Sequence, residues 1–488
     1  MTKQLIKGAS GDWELVIGLE IHVRLDTRSK LFSSARSAYG ADANTQVSFV
    51  DAALPGTLPV LNQTAVDYAI RFGLSIDAEI ASVTTFARKN YFYPDLPKGY
   101  QISQMDQPVV GRGSVMIINE AGEQQSVQIL RAHLEEDAGK SIHDLYDSYS
   151  AIDLNRAGTP LVEVVSEPDM FSAKQAVAYM RQIYSRVTHL GICDGNLQEG
   201  SFRCDANVSV RRVGVETLGT RTEIKNLNSF RFIEKAINYE ARRQVDLLES
   251  GQKVIQETRL YNPDKDQTRS MRSKEDANDY RYFPDPDLLP VPISQEQIER
   301  QRALLPELPE QKIKRYQQQH DMRVDEADII TADRYMSTFF DDMLKHAKAP
   351  GDLLAKFLLG EFSAQMNQVG GDFEQPPVSS IQLATLIDLL HDGAISRKIA
   401  RQVLELMWQT DLMPDVIVAE KGLGQISDTS ALESMVDGVL EANPQQVTDY
   451  RNGNDKLFNF FVGQLMKQTK GQADPNQLKT ILQEKLKS

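Results

Sequence analysis

The segment Val16-Ile-Gly-Leu-Glu-Ile-His-Val-Arg24 alternates apolar and polar residues. As a β-strand it places Glu20, His22 and Arg24 on one face and Leu19, Ile21 and Val23 on the other. Ser201-Phe-Arg-Cys-Asp-Ala-Asn-Val-Ser-Val-Arg211 repeats the pattern, with Arg203, Asp205, Asn207 and Ser209 facing one way. Thr222-Glu-Ile-Lys225 adds Glu223 and Lys225. His133-Leu-Glu-Glu-Asp-Ala-Gly-Lys140 supplies three consecutive carboxylates, Glu163 and Glu167 follow, and Glu199 stands before Gly200. Carboxylates gathered in this way repel one another unless a cation lies among them. Oxygen ligands suit Mg²⁺, Mn²⁺ or Ca²⁺, and a His among them favours Mg²⁺ or Mn²⁺. Any one of these runs alone reads as the charged end of a surface strand. Their recurrence within one region is what argues for a metal centre.

A second chemistry is offered by Arg88-Lys-Asn-Tyr-Phe-Tyr-Pro-Asp-Leu-Pro-Lys-Gly-Tyr100. Here Arg88, Lys89 and Lys98 can neutralise phosphates while Tyr91, Tyr93 and Tyr100 can stack on a base. Asp279-Tyr-Arg-Tyr-Phe-Pro-Asp-Pro-Asp287 is a similar stretch. An aromatic packing loop is the ordinary alternative for both. Two sharper signals fail. Ala138-Gly139-Lys140-Ser141 ends like a P-loop, but the Gly required five residues before Gly139 is Leu134. Gly191-Ile-Cys193-Asp-Gly195 resembles the nucleophile turn of a glutamine-hydrolysing enzyme, but such a Cys needs a His base held by a carboxylate. The His residues after Cys193 (His320, His346 and His391) all fall in the helical part, so a buried structural thiol is expected.

The elements that must position these groups divide along the chain. Residues 1–293 are rich in short alternating runs with dense Gly and Pro punctuation, and periodicity singles out one helix there, Ser229 to Leu248. Helical runs then follow from Ser294, over Val324 to His346, Gly351 to Gln368, Ser379 to His391 and Ser396 to Gln409, with three short ones from Asp428 onward. The expected architecture is α+β: a mixed or antiparallel-sheet domain (1–293), an all-helical region (294–410) and a small helical tail (411–488). The chain has 488 residues, a net charge of −14 and two cysteines, which exclude a disulfide scaffold and a multi-cysteine zinc site. No apolar run reaches membrane-spanning length and the N-terminus has no leader-like core, so the cytoplasm is the expected compartment. The acidity argues against coating nucleic acid by bulk charge. Residues 449–488 nevertheless hold seven basic residues against four acidic ones.

The motifs above resemble, in order across the first domain, the B subunits of the tRNA-dependent amidotransferases. Leu54-Pro-Gly-Thr-Leu-Pro-Val-Leu-Asn62, Asp153-Leu-Asn-Arg-Ala-Gly-Thr-Pro160 and Glu199-Gly-Ser-Phe-Arg-Cys-Asp-Ala-Asn207 belong to the same set. The resemblance implies a cradle-shaped catalytic domain, and a complex with the A (glutaminase) and C subunits of such enzymes. It implies ATP as a substrate that phosphorylates the side-chain carboxylate of Glu or Asp misloaded on tRNA, and ammonia that then displaces the phosphate. Carried onto this sequence, His22 and Glu136 are the first metal ligands expected, with Glu20, Glu199 and Asp205 behind them. His22, Glu136 and Arg203 are the catalytic candidates, Lys89, Lys98, Tyr91, Tyr93 and Asn226 the nucleotide contacts, and Lys456, Lys467 and Lys470 the tRNA contacts. A free-standing Mg²⁺-dependent carboxylate–amine ligase acting on a small acid is the alternative. Many members carry four zinc-binding cysteines in the segment equivalent to Phe32 to Pro55. Here those positions align with Ser33, Ala35, Ser48 and Asp51, so no zinc is expected and the loop must be held otherwise.

Overall fold

The computed structural model describes residues 3–143, 145–272, 280–424, 429–469, 472–473 and 475–487. The first alternating segment is the middle of β2 (Gly11–Arg24), an interior strand of a nine-stranded sheet. Its companions are β1 (Leu5–Gly8), β6 (Gly113–Ile118), β7 (Gln124–Glu136), β10 (Pro160–Ser166), β11 (Phe202–Arg212), β12 (Thr222–Leu227), β13 (Thr258–Asn262) and β14 (Gln267–Arg272). The order is β14-β13-β12-β11-β2-β10-β7-β6, with β1 paired to the start of β2. All pairings are antiparallel except β12 with β13. Three small ladders accompany the sheet: β3 (Val83–Thr84) with β16 (Val291–Pro292), β4 (Ala87–Asn90) between β5 (Tyr100–Ser103) and β15 (Phe283–Pro284), and β8 (Lys140–Ile142) with β9 (Ala151–Asp153). The mixed-sheet domain expected from the alternation is therefore present.

One face of the large sheet is dry. Ile21, Val23, Leu134, Val164, Ala206 and Val208 are all buried there, and α2 (Ala173–His189) and α3 (Phe230–Glu249) cover it with Ile183, Val187, Ile233 and Ile237. Helix α3 starts where expected, with Ser229 Oγ accepting the Phe232 N–H at 3.1 Å. Two helices not anticipated also lie in this part, α1 (Gln63–Ser75) and α2. In α2 the apolar stripe of Ala176, Tyr179, Met180, Ile183 and Val187 is blurred because Gln175, Ser185 and Arg186 are buried alongside it. In α1 the helical Gly73 answers a close approach: a Cβ there would lie 2.5 Å from Ile80 Cδ1.

A buried polar network pins α3 to the far strands. The Glu240 carboxylate accepts from Thr222 Oγ1 (2.8 Å), Thr268 Oγ1 (2.9 Å) and Arg243 Nε (2.9 Å), with Arg259 Nε at 3.3 Å. Burial would raise the Glu240 carboxyl, but Arg243 and these donors hold it below its ordinary value of 4.5. A lowered carboxyl contributes stability that is complete above about 4.5 and is lost as pH falls through the folded-state value. Glu240→Ala should cost about 1–3 kcal/mol at neutral pH, because the buried Thr222 and Thr268 hydroxyls lose their acceptor while Arg259 keeps its ion pair with Glu257. Thermal melts from pH 3 to 7 should show the wild-type advantage over this variant shrinking toward acid.

Helix α4 (Gln295–Ala303) starts at Ser294, yet Ile298 and Leu308 pack into the first core, and the first compact unit runs through Leu308. The second unit, from Pro309, is helical: α5 (Pro309–His320), α6 (Val324–Ala332), α7 (Arg334–His346), α8 (Gly351–Phe357), a π-helical turn at Leu358–Phe362, α9 (Ser363–Val369), α10 (Ser380–His391), α11 (Arg397–Met407), α12 (Pro414–Lys421), α13 (Thr429–Glu441), α14 (Pro444–Arg451), α15 (Lys456–Gln468) and α16 (Pro475–Lys487). The run expected over Val324 to His346 is broken at Asp333, whose Oδ1 caps α7 by accepting the N–H groups of Tyr335 and Met336 at 2.8 Å each. Two apolar cores form in this unit, one from Tyr316 to Ile417 and one from Leu432 to Leu486. The latter gathers four helices rather than three. Of the four, α14 buries no residue.

Candidate functional site

The register of the sheet assembles the polar face. Strand β2 places His22 opposite Glu163 of β10 on one side and opposite Arg203 of β11 on the other. Glu163 in turn stands opposite His133 of β7. Four side chains therefore form one row across four strands. Two residues along β2, Glu20 stands opposite Asp205, while Glu135 of β7 faces Leu161, the partner of Arg24. His22 and Arg203 of this row line a cleft of about 360 Å³ whose walls also include Lys89, Tyr91, Glu135 and Asp205.

Within it, one nitrogen of His22 and one oxygen each of Glu135 and Glu163 lie within 4.8 Å of one another. His22 Nε2 is 3.4 Å from both Glu135 Oε1 and Glu163 Oε2. Burial would lower the imidazole, but Glu163 and Glu135 outweigh it and raise His22 to about 10. Burial opposes ionisation of Glu163 as well, and His133 and His22 hold it well below its ordinary value. Glu135 is also lowered, against burial and the charge of Glu163, by Lys89 and His22. The site thus keeps two charged carboxylates facing an imidazolium. A divalent cation would displace the His22 proton, and the neutral imidazole nitrogen with the two carboxylates would suit Mg²⁺ or Mn²⁺.

A second acidic group adjoins it. Glu20 accepts from Asn207 Nδ2 at 2.9 Å, and burial followed by Glu163 and Glu223 raises its carboxyl. Lys225 Nζ bridges Asp205 at 2.6 Å and Glu223 at 2.7 Å. Arg203 Nη2 donates to Asp137 at 2.8 Å, and its Nε is buried with no hydrogen-bond partner among the described residues.

The two basic–aromatic stretches, far apart in sequence, meet here. β15 pairs with β4, so Phe283 stands opposite Arg88. Tyr91 lies between Tyr93 (5.8 Å) and Tyr280 (6.1 Å), and Lys89 Nζ sits 5.1 Å from the Tyr280 ring. Lys89 is held charged against burial by Glu135 and Glu163. Arg88, by contrast, is engaged by Asp285 and Asp287, 2.9 Å from each, and covers Tyr100.

Other expected site residues stand elsewhere. Glu136, expected beside His22, belongs to the opposite strand parity from Glu135. Its carboxylate accepts from Lys98 Nζ and from the Ile102 N–H at 2.8 Å, so Glu136 and Lys98 engage each other outside the His22 cluster. Glu199 sits in the turn before β11, where its N–H donates to Asn196 Oδ1 at 3.2 Å. The side chain of Asn226 and all of Lys470 lie outside the described residues, as does Asp279. Lys456 and Lys467 are exposed at the two ends of α15. Glu135 and Glu163 are the members of the cluster that the sequence singles out least. The signal for them is parity: His133 and Glu135 flank a buried Leu134, and Glu163 lies between buried Val162 and Val164.

The rejected motifs have structural explanations. A Cβ on Gly139 would lie 2.9 Å from the carbonyl oxygens of Asp95 and Asp153, so that glycine permits a backbone crossing. Cys193 Sγ donates to the Ser201 carbonyl at 3.4 Å, and burial pushes its thiol up to about 12. The loop with the four aligned positions is pinned by an ion pair: Lys30 Nζ, fully buried, lies 3.0 Å from Asp51 Oδ2. Ser33 Oγ donates to Asp51 Oδ1 at 3.1 Å and the Ser48 N–H to Asp51 Oδ2 at 2.8 Å.

Residues 15–299 match the GatB/GatE catalytic domain, and residues 338–486 match the GatB domain. The chain is 55% identical over 475 residues to the B subunit of an aspartyl/glutamyl-tRNA(Asn/Gln) amidotransferase from Thioalkalivibrio sulfidiphilus, covering 97% of this chain and 100% of that protein. It is 54% identical over 474 residues to the like-named protein of Nitrosococcus oceani, covering 97% and 99%. With that of Burkholderia multivorans it shares 54% identity over 489 residues, covering 98% and 100%. No helix among the described residues is long and apolar enough to cross a membrane.

Proposed function

The chain belongs to the family of aspartyl/glutamyl-tRNA(Asn/Gln) amidotransferase B subunits, and from that premise we propose how its cleft works. It is the B subunit of an ATP-dependent ligase that forms Gln-tRNA(Gln) and Asn-tRNA(Asn) with partner amidotransferase subunits. In our proposal the work is done in the cytoplasm with the glutaminase partner, the C partner and misloaded tRNA. The side-chain carboxylate of Glu or Asp on the tRNA attacks the γ-phosphorus of ATP, and the bond to ADP breaks. Ammonia from the glutaminase partner then attacks the acyl carbon, inorganic phosphate leaves, and the nitrogen loses a proton. Two steps are needed because a carboxylate is a poor electrophile and phosphate is the leaving group it lacks.

His22, Glu135 and Glu163 would hold a divalent cation, which when bound would supply charge neutralisation on the phosphates. Lys89 and Arg203 take phosphate oxygens, and Tyr91 and Tyr93 form the aromatic wall against the base or aminoacyl end. The observation that carries this is the His22–Glu135–Glu163 cluster, whose His22 and Glu135 line the same cleft as Lys89 and Arg203. Reconstitution with both partner subunits, misloaded tRNA, ATP and glutamine tests it. ADP should appear in step with the amide, and neither free glutamate nor free aspartate should replace the charged tRNA. Amide formation without ATP would overturn the scheme, and amidation of the free acids would favour the small-acid ligase.

The tail is proposed to grip tRNA. Lys456 and Lys467 are eleven residues apart on α15, so at 100° per residue they share a face, about 16 Å from each other. Replacing both by Ala should weaken tRNA binding and reduce the slope of log affinity against log salt by about 1 per lysine, measured by filter binding.

A further inference from the structure

We propose that His133 is a positioning residue of the cluster, holding Glu163 in ligand geometry without reaching the cation itself. The inference rests on His22, Glu135 and Glu163 being the cation ligands. His133 stands opposite Glu163 in the β7–β10 register, with its Nε2 3.4 Å from Glu163 Oε2. The residue is 4% exposed, and its other ring nitrogen, Nδ1, is buried with no hydrogen-bond partner among the described residues. A phenyl ring would fill that volume with no unmatched polar atom, so packing does not account for an imidazole here. What the imidazole adds is one polar nitrogen, Nε2, 3.4 Å from one carboxylate oxygen. His133 does not join the set of atoms lying within 4.8 Å of one another, which places it one step outward from His22, Glu135 and Glu163.

The geometry gives that outward step a purpose. Glu163 Oε2 is approached by two imidazoles, His22 and His133, at 3.4 Å each. A His22 nitrogen that gives its lone pair to a cation has no N–H left for Oε2. His133 then remains to fix the carboxylate's orientation. Partners of this outer kind change metal affinity about 10- to 100-fold when removed.

The test uses the full chain and Mn²⁺, with free and bound ion followed by electron paramagnetic resonance. Wild type should bind Mn²⁺ and His22→Ala should lose that binding. His133→Phe, which keeps a ring, should bind about 10- to 100-fold more weakly with an altered bound-ion line shape. His133→Gln, whose side-chain nitrogen can stand in for Nε2, should recover most of the affinity. Melting temperatures and circular dichroism report folding for each variant. Wild-type affinity in His133→Phe would overturn the inference, as would His133→Gln binding as weakly as His133→Phe at a wild-type melting temperature. Equal Mn²⁺ binding by wild type and His22→Ala would instead remove the ligand assignment, and the inference with it.

Discussion

Replacing His22 by Ala, or Glu163 by Gln, should lower ATP-dependent amide formation by about 10³-fold in the reconstituted complex. The size follows from the charge each residue contributes. Both carboxylates remain ionised in a buried setting, and the glutamine variant keeps the volume of Glu163 while removing its charge. A cation bound by the remaining donors would be held more loosely and farther from the phosphates, which forfeits several kcal/mol of transition-state stabilisation. Ammonium chloride should serve as nitrogen donor in this assay, so that a defect in glutamine hydrolysis cannot imitate the result. The pair Glu135→Gln and Glu136→Gln sharpens it. Strand parity places Glu135 against His22 and Glu136 against Lys98, so Mn²⁺ affinity should fall in the first and persist in the second. Activity within a few-fold of wild type in His22→Ala would remove the metal centre from the mechanism.

The largest effect on stability should come from Asp51→Ala. Lys30 is fully buried and Asp51 is 3% exposed, and the ammonium has no other carboxylate at ion-pair distance among the described residues. Removing one member of such a pair strands the other charge, at about 3–5 kcal/mol. The Ser33 hydroxyl and the Ser48 N–H lose their acceptor at the same time. A fall in melting temperature on the order of 10 °C is expected. The double variant Lys30→Met with Asp51→Leu should regain much of that loss, because an apolar pair leaves no orphan charge. A single variant that melts like the wild type would show the loop to be held by something else.

Alternation made the faces of β2 and β11 legible, because a period of two needs no knowledge of the partners. The four-residue row was not legible. It depends on which strands neighbour β2 and in what register, and β10 and β7 are set by contacts far apart in sequence. That is also why Glu135 and Glu136 were hard to tell apart. Adjacent carboxylates are chemically alike, and only the pairing with Pro160 and Leu161 sends one toward His22 and the other toward Lys98. The meeting of Tyr91 with Tyr280 has the same origin, a two-residue strand pairing that no local pattern announces. The α+β architecture was legible from composition and periodicity. Periodicity does not single out α1, α2 or α12, and in α2 the buried polar residues mask the stripe.

Strand β2 pairs along Trp13–Val23 with β11 and along Glu20–Arg24 with β10. A strand clamped on both flanks cannot absorb a change in length. Inserting or deleting one residue between Leu15 and Leu19 would rotate Glu20 and His22 into the core and bring Ile21 and Val23 to the cleft. Over evolutionary time this stretch can trade one side chain for another but cannot gain or lose a position. Indels in the gene should accumulate in surface turns such as the one at Gly122 and be purged from these eleven codons.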